Sequence, residues 1–158
     1  MLSKITILPF HPDNQIEVKN LILAGLAEHW GEIDPGKNPD LNDISSAYAN
    51  AIFLVAWSQD KIVGTGALVP RSCEAAEIVR MSVLAEMRRQ GIGKALLQQL
   101  VKRAREAGYH KIILETTATW YEVIEFYKRF GFCITHYRDG DVYFALDLDA
   151  KTGLRLET

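Results

Sequence analysis

Cysteine is scarce in this chain of 158 residues: Cys73 and Cys133 are the only two. They lie far apart, have no CxxC spacing, and the four histidines do not cluster with them. That pattern argues against a metal site and against a disulfide framework; both cysteines are expected as buried free thiols in a reducing compartment. Long apolar runs are missing too. Nothing approaches the ~20 residues of a membrane span, and the start, "MLSKITILPFHPDN", lacks the charged head, apolar stretch and cleavage site of a signal peptide. A cytoplasmic location, away from membranes, is the expectation. Nor does charge of one sign dominate: 18 Lys and Arg face 20 Asp and Glu, a net of −2. Nothing therefore draws the whole molecule to nucleic acid or an anionic surface. Repeats, low-complexity segments and linkers are absent as well. The length fits one domain, expected to span residues 1–158, and with 48% hydrophobic residues it can bury a full core.

What is present reads as alternating short elements. "KITILP" is a strand, and Asp13 stands where it can cap a helix to about Trp30 with Ile16, Leu23, Leu26, Ala27 and Trp30 as its apolar stripe. A Gly/Pro loop follows, then a short helix carrying Leu41, Ile44 and Tyr48 behind a cap at Asp40. "AIFLVAW" and "IVGTGALVP" form a hairpin across "SQDK", and "EAAEIVRMSVL" (74–84) is a longer strand. A helix over 91–107 has Ile92, Ala95, Leu96, Leu100 and Ala104 at helical spacing and Gly108 as its stop. "KIILET" (111–116) is a strand, "TWYEVIEFYKRF" a helix closed by Gly131, and the last two strands turn at "RDGD". The order predicts an α+β fold with a mostly antiparallel sheet of seven strands. The strand at 74–84, its helix and the strand at 111–116 form one crossover, which makes those two strands parallel.

The stretch "RRQGIGKAL" (88–96) joins strand to helix. First-turn amides have no partner inside a helix, and the helix dipole adds partial positive charge there. Gly91 and Gly93 let a bound group approach the backbone, while Arg88, Arg89 and Lys94 add full charges. Two nucleotide loops are excluded by residues: a Rossmann fingerprint needs glycine where Leu96 stands, and a Walker loop needs Ser or Thr where Ala95 stands.

"RRQGIG" resembles the Arg/Gln-x-x-Gly-x-Gly/Ala signature of the GNAT superfamily of N-acetyltransferases. "EIVRMSVLAEMRRQGIGKALL" is similar to that family's whole strand–loop–helix, and "VIEFYKRFGF" to its second block. The clear resemblance covers about residues 51–148. It implies a GNAT-like mixed sheet with helices on both faces and a parallel strand pair that splays apart, where acetyl-CoA lies. Met81, Ser82 and Val83 would pair by their backbone with the pantetheine arm. Amides of Arg89, Gln90, Gly91, Ile92, Gly93 and Lys94 would hold the pyrophosphate, with Arg88 beside it. No metal is implied.

The same resemblance matches Tyr127 to the general acid that protonates the departing thiolate. Trp120, Val123, Ile124 and Tyr127 also share a helical face, so a core role stays open. Glu77 stands where some members keep a carboxylate base. Strand alternation puts it with Val79, Met81 and Val83, apolar company that favours the protonated form and suits a base; pairing with Arg80 or another cation is the competing reading, and Glu115 is the poorer candidate. The family's usual asparagine and alanine are here Trp120 and Val123, so that asparagine contact does not carry over. The acceptor is expected to be a small-molecule amine. Glu28, Glu32, Asp34, Asp40 and Asp43 against Lys37 could steer a cationic amine or simply be solvated caps. A protein or peptide acetyltransferase and a non-catalytic acyl-CoA sensor are the alternatives. Family members are often homodimers, and the sequence shows no interface.

Overall fold

The computed structural model describes residues 4–31 and 35–149. Seven strands, β1 Ile5–Pro9, β2 Ile52–Ser58, β3 Lys61–Pro70, β4 Ala75–Val83, β5 Lys111–Thr117, β6 Cys133–Arg138 and β7 Asp141–Asp147, make one sheet in the order β1-β2-β3-β4-β5-β7-β6. The β4–β5 pair is parallel, and β1–β2, β2–β3, β5–β7 and β6–β7 are antiparallel. Four helices accompany them: α1 Gln15–Trp30, α2 Ile44–Ala47, α3 Ile92–Glu106 and α4 Tyr121–Phe130. This is the α+β architecture expected, with α3 as the crossover between the parallel strands. No helix among the described residues is long and apolar enough to cross a membrane. The chain divides into two compact units, Met1–Val69 with Val79–Leu100, and Pro70–Ile78 with Val101–Thr158.

In the first unit, Val18, Leu21 and Ile22 of α1 pack with Leu41, Ile44, Phe53, Val55 and Ile62. This corrects the expected stripe of α1 in part: Leu23 and Leu26 do pack against that cluster, but Ile16 and Trp30 are 74% and 60% exposed. Apolar residues occur around most of that helix, so spacing alone does not select the face; Val18, Leu21 and Ile22, at i, i+3 and i+4, are its buried centre. Its start is also different. His11, not Asp13, caps the Pro12–Asn14 turn that leads into α1, accepting from the Asp13 amide at Nδ1, while the Asn14 side chain accepts from the His11 amide. Asp43 rather than Asp40 caps α2, accepting from the Ser46 amide.

The beginning of α3 lies close against β3 because β3 carries glycines there. A Cβ on Gly64 would stand 3.0 Å from both Ile92 Cγ2 and Leu96 Cδ1, and one on Gly66 would stand 2.6 Å from Met81 Sδ. With no side chain in the way, Ile92, Leu96 and Leu100 seal that face and are at most 2% exposed.

In the second unit, β5 pairs with β7 from Lys111↔Asp147 to Thr117↔Asp141, and β6 with β7 from Cys133↔Ala145 to Arg138↔Asp141 with a register shift between Ile134 and His136. The β6–β7 turn has φ 52° at Asp139 and 86° at Gly140. Two successive left-handed residues match the twist of a hairpin, as "RDGD" predicts. Ile112, Leu114, Val142, Phe144 and Leu146 are buried, and α4 adds Ile124 and Tyr127.

Both cysteines are free, but both are exposed, which corrects the expectation of buried thiols. Cys73 lies in the β3–β4 turn, and Cys133 opens β6, the last strand of the sheet. Turn and edge positions leave a small side chain in solvent whatever its preference for a core. Both thiols should therefore react with a disulfide reagent such as DTNB in the folded protein, and Cys→Ser at either position should change stability by less than about 0.5 kcal/mol.

Candidate functional site

β4 pairs with β5 only through Ala75, Ala76 and Glu77, opposite Lys111, Ile112 and Ile113, although β4 runs on to Val83. Beyond that pairing, Arg80 has φ 55° inside the strand. A left-handed non-glycine residue in a strand is strained and has the geometry of a β-bulge, which shifts alternation by one residue. Val79 and Leu84 both pack against the α1 cluster although they stand five positions apart, an odd offset that alternation would put on opposite faces. Met81 turns instead to Gly66, and the Ser82 Oγ lies 2.9 Å from where a Cβ of Gly25 in α1 would stand. Glu77, Val79, Met81 and Val83 thus do not share one face, contrary to simple alternation.

A network holds the bulge. Arg80 Nε donates to Asp40 Oδ2 at 3.0 Å and Nη2 to Asp40 Oδ1 at 2.7 Å, with Asn38 Oδ1 at 3.2 Å. Tyr48 donates to Asp40 Oδ2 at 2.6 Å, and the fully buried Thr65 donates to the Arg80 carbonyl at 2.8 Å. Burial alone would raise the Asp40 pKa, but the hydrogen bonds from Arg80 and Tyr48 and the Arg80 charge outweigh it and hold the carboxyl below its ordinary value. Burial and the Asp40 carboxylate push the Tyr48 phenol up to about 12.

After β4 a short turn, Ala85–Met87, leads into the loop. The Arg88 amide donates to the Ala85 carbonyl at 3.4 Å, and the Ala95 amide donates to Gly91 at 3.0 Å as the first bond of α3. Among the described residues, the amides of Gln90, Gly91, Ile92, Gly93 and Lys94 give no backbone bond. Arg89 and Gly91 have φ 62° and 84°, so the chain turns twice through the left-handed region before the helix begins. Gly91 has open space where a Cβ would go; the backbone conformation, not crowding, is what requires glycine there. A run of uncommitted amides at the dipole-positive end of a fifteen-residue helix, beside basic side chains, is an anion-binding arrangement.

Arg88 itself is engaged. Its Nη1 and Nη2 donate to the two Glu28 carboxylate oxygens, each at 2.7 Å, and Nε donates to the Val83 carbonyl at 3.2 Å. The hydrogen bonds from Arg88 chiefly lower the Glu28 pKa. Of the five acidic residues considered for steering an amine, Glu28, Asp40 and Asp43 are thus committed to Arg88, Arg80 and the α2 cap. Glu32 and Asp34 lie outside the described residues.

In the second unit Glu77 is not an isolated carboxylate. Arg71 Nε stands 2.6 Å from its Oε1, so the cation is Arg71 and not Arg80. Glu115 is exposed on β5 opposite Tyr143, and its carboxylate raises the pKa of that phenol above its ordinary value. Tyr127 is 6% exposed, with its ring against Phe126, Phe132 and Phe144 at centroid distances of 5.1, 5.7 and 5.7 Å. Burial alone pushes its phenol well above the ordinary tyrosine value. Trp120 is half-buried at the N-cap of α4, where its carbonyl accepts from Ile124 at 3.0 Å. Among the described residues no group of three or more His, Cys, Asp or Glu is placed to hold a metal ion.

A seven-stranded, mostly antiparallel sheet with one parallel pair, and an amide-lined turn that leads from β4 into α3, define the class: an α+β protein with an anion-binding helix start. The chain belongs to the acetyltransferase (GNAT) family, whose model matches residues 19–132. It is similar to N-acetyltransferase family 8 member 2 of Rattus norvegicus, 37% identical over 106 residues, 62% of this chain and 47% of that protein. The chain spans about half the length of the curated relatives it matches. Its fold is that of a GNAT acetyltransferase from Staphylococcus aureus Mu50, with a TM-score of 0.84, 23% identity, and coverage of 92% of this chain and 100% of that one. It is also that of the PaiA N-acetyltransferase from Thermoplasma acidophilum solved with coenzyme A, with a TM-score of 0.80 and 18% identity over 91% of this chain and 99% of that one.

Proposed function

We propose that the protein moves an acetyl group from acetyl-CoA to a primary amine on a small molecule, by direct attack in a ternary complex, and that residues 1–158 act as one acetyltransferase domain. The observation that carries this reading is the uncommitted amide run from Gln90 to Lys94, next to a strand segment, Met81–Val83, that has left its β5 partner. An extended arm with amide groups can use such a strand as a β-partner, and a pyrophosphate fits a helix start lined with N–H groups. PaiA, which shares the fold, is seen with coenzyme A.

Bound acetyl-CoA supplies the thioester. In this reading the backbone of Met81, Ser82 and Val83 orients the pantetheine arm, and the amides of Arg89 to Lys94 hold the pyrophosphate. The amine must be neutral to attack, and an alkyl amine with a pKa near ~10.4 is mostly protonated at neutral pH. Glu77 is the proposed acceptor of that proton, with Arg71 fixing its orientation. As the C–N bond forms and the C–S bond breaks, Tyr127 gives the thiolate a proton, and the second proton that the nitrogen sheds on becoming an amide restores the Tyr127 hydroxyl. In the Glu77→Gln variant the acidic limb of the pH–rate profile should move up toward the amine's own pKa near ~10.4, because only amine that is already neutral can then attack. If the limb stays where it is in the wild type, Glu77 is not the base.

A panel of polyamines, lysine-like amines and aminated small molecules, followed by release of free coenzyme A, tests the function. Turnover confined to peptides or protein N-termini would shift the reading to a protein acetyltransferase. Tight acetyl-CoA binding with no thiol release on any amine would identify a sensor.

A further inference from the structure

Arg88 opens the loop signature, and a basic residue in front of an anion site invites the role of a phosphate ligand. Its surroundings argue otherwise. Three of its N–H groups are used, two on Glu28 and one on the Val83 carbonyl. The two-pronged pair with Glu28 satisfies both carboxylate oxygens and cancels the guanidinium charge, so what a nearby anion feels is a dipole and not a cation. The third bond ties the guanidinium to the end of β4, the segment assigned above to the pantetheine arm. The Arg88 amide meanwhile closes the Ala85–Met87 turn on Ala85. One residue therefore fixes the spacing between the strand end, the loop and α1, which carries Glu28.

We propose that Arg88 and Glu28 form a positioning clamp: Glu28, on α1, holds Arg88 so that the loop amides and the Met81–Val83 edge stand in register for one coenzyme molecule. This rests on the acetyl-CoA reading above. Neither residue need touch the phosphate. Glu28, an acidic residue with no counterpart in the loop signature, becomes a determinant of coenzyme affinity.

The test is a double-mutant cycle read by calorimetric titration with coenzyme A and by steady-state kinetics. The variants are Glu28→Gln, Arg88→Gln, the double variant, and Arg88→Lys, which keeps the charge but cannot form the fork. The two partners are 41% and 40% exposed, so losing the pair costs little stability and the variants fold, as a circular-dichroism melt will verify. Each single variant, Arg88→Lys included, should weaken coenzyme A by about fivefold. The double variant should be no weaker than Arg88→Gln alone, and the loss should lie in KM for acetyl-CoA and not in kcat. Unchanged or tighter binding by Glu28→Gln would overturn the clamp and make Arg88 a direct phosphate ligand that Glu28 merely masks. Multiplicative losses in the double variant, or wild-type affinity in Arg88→Lys, would overturn it as well. Absence of coenzyme A binding by the wild-type chain is a different failure, seen before any variant is compared, and it removes the acetyl-CoA reading itself.

Discussion

Tyr127→Phe is expected to lower kcat by about a hundredfold, in the range that a positioned acid supplies, while acetyl-CoA affinity stays within about twofold. The substitution isolates the hydroxyl. The ring lies among Phe126, Phe132 and Phe144, and a phenylalanine keeps those contacts. Burial holds the phenol protonated far above neutral pH, as a proton donor to a leaving thiolate must be. The aromatic contacts are kept, so Tyr127→Phe should leave stability unchanged to within about 0.5 kcal/mol. Lost turnover with stability kept is the pattern of a residue retained for chemistry. A core role predicts stability kept and turnover kept. Free coenzyme A release and a thermal melt on the same preparation separate the two, and unchanged turnover would remove Tyr127 from the mechanism.

The strands, the crossover helix and the amide loop were legible because each is written locally. Alternation marks "IVGTGALVP", and helical spacing marks Ile92, Leu96 and Leu100, so these elements fall within a residue of their expected bounds. The turn at Asp139–Gly140 was equally legible, since left-handed pairs select Asp and Gly. The partners that hold the site were not legible. Glu28 and Arg88 lie 60 residues apart, and Arg80 and Asp40 lie 40 apart, so no local pattern joins them. Arg71, the cation beside Glu77, sits in a turn that reads only as polar. The kink in β4 left no trace because an arginine occupies it. Glycine or asparagine at a left-handed position would have announced a bulge; Arg80 looks like any strand residue. From that one position, Met81 was misread as sharing a face with Val79.

Arg80 is accordingly where the largest loss of stability is expected. Arg80→Met should destabilise the protein by about 3 kcal/mol, since it leaves the Asp40 carboxylate largely buried without its cation, and should lower Tm by roughly 8 °C. The side chains of Arg80 and Asp40 are only 19% and 26% exposed, so solvent cannot fully replace the lost partner. Arg80→Gly loses the same guanidinium but relieves the φ of 55°, so it should recover about 1 kcal/mol relative to Arg80→Met. A glycine variant no more stable than the methionine variant would show that the bulge carries no strain. The network also sets a pH dependence. Because the folded pKa of Asp40 is depressed, its contribution is fully present above the unfolded carboxylate value of about 3.9 and is lost as pH falls through the lower folded value. Urea melts from pH 7 to pH 3 should show a constant gap between wild type and Asp40→Asn down to about pH 4, and a closing gap below it. A gap that instead narrowed between pH 7 and pH 5 would mean that Asp40 is not the group the bulge relies on. Since Met81–Val83 follow the bulge directly, both Arg80 variants should also weaken coenzyme A, and the binding loss should persist at temperatures where the variants are fully folded.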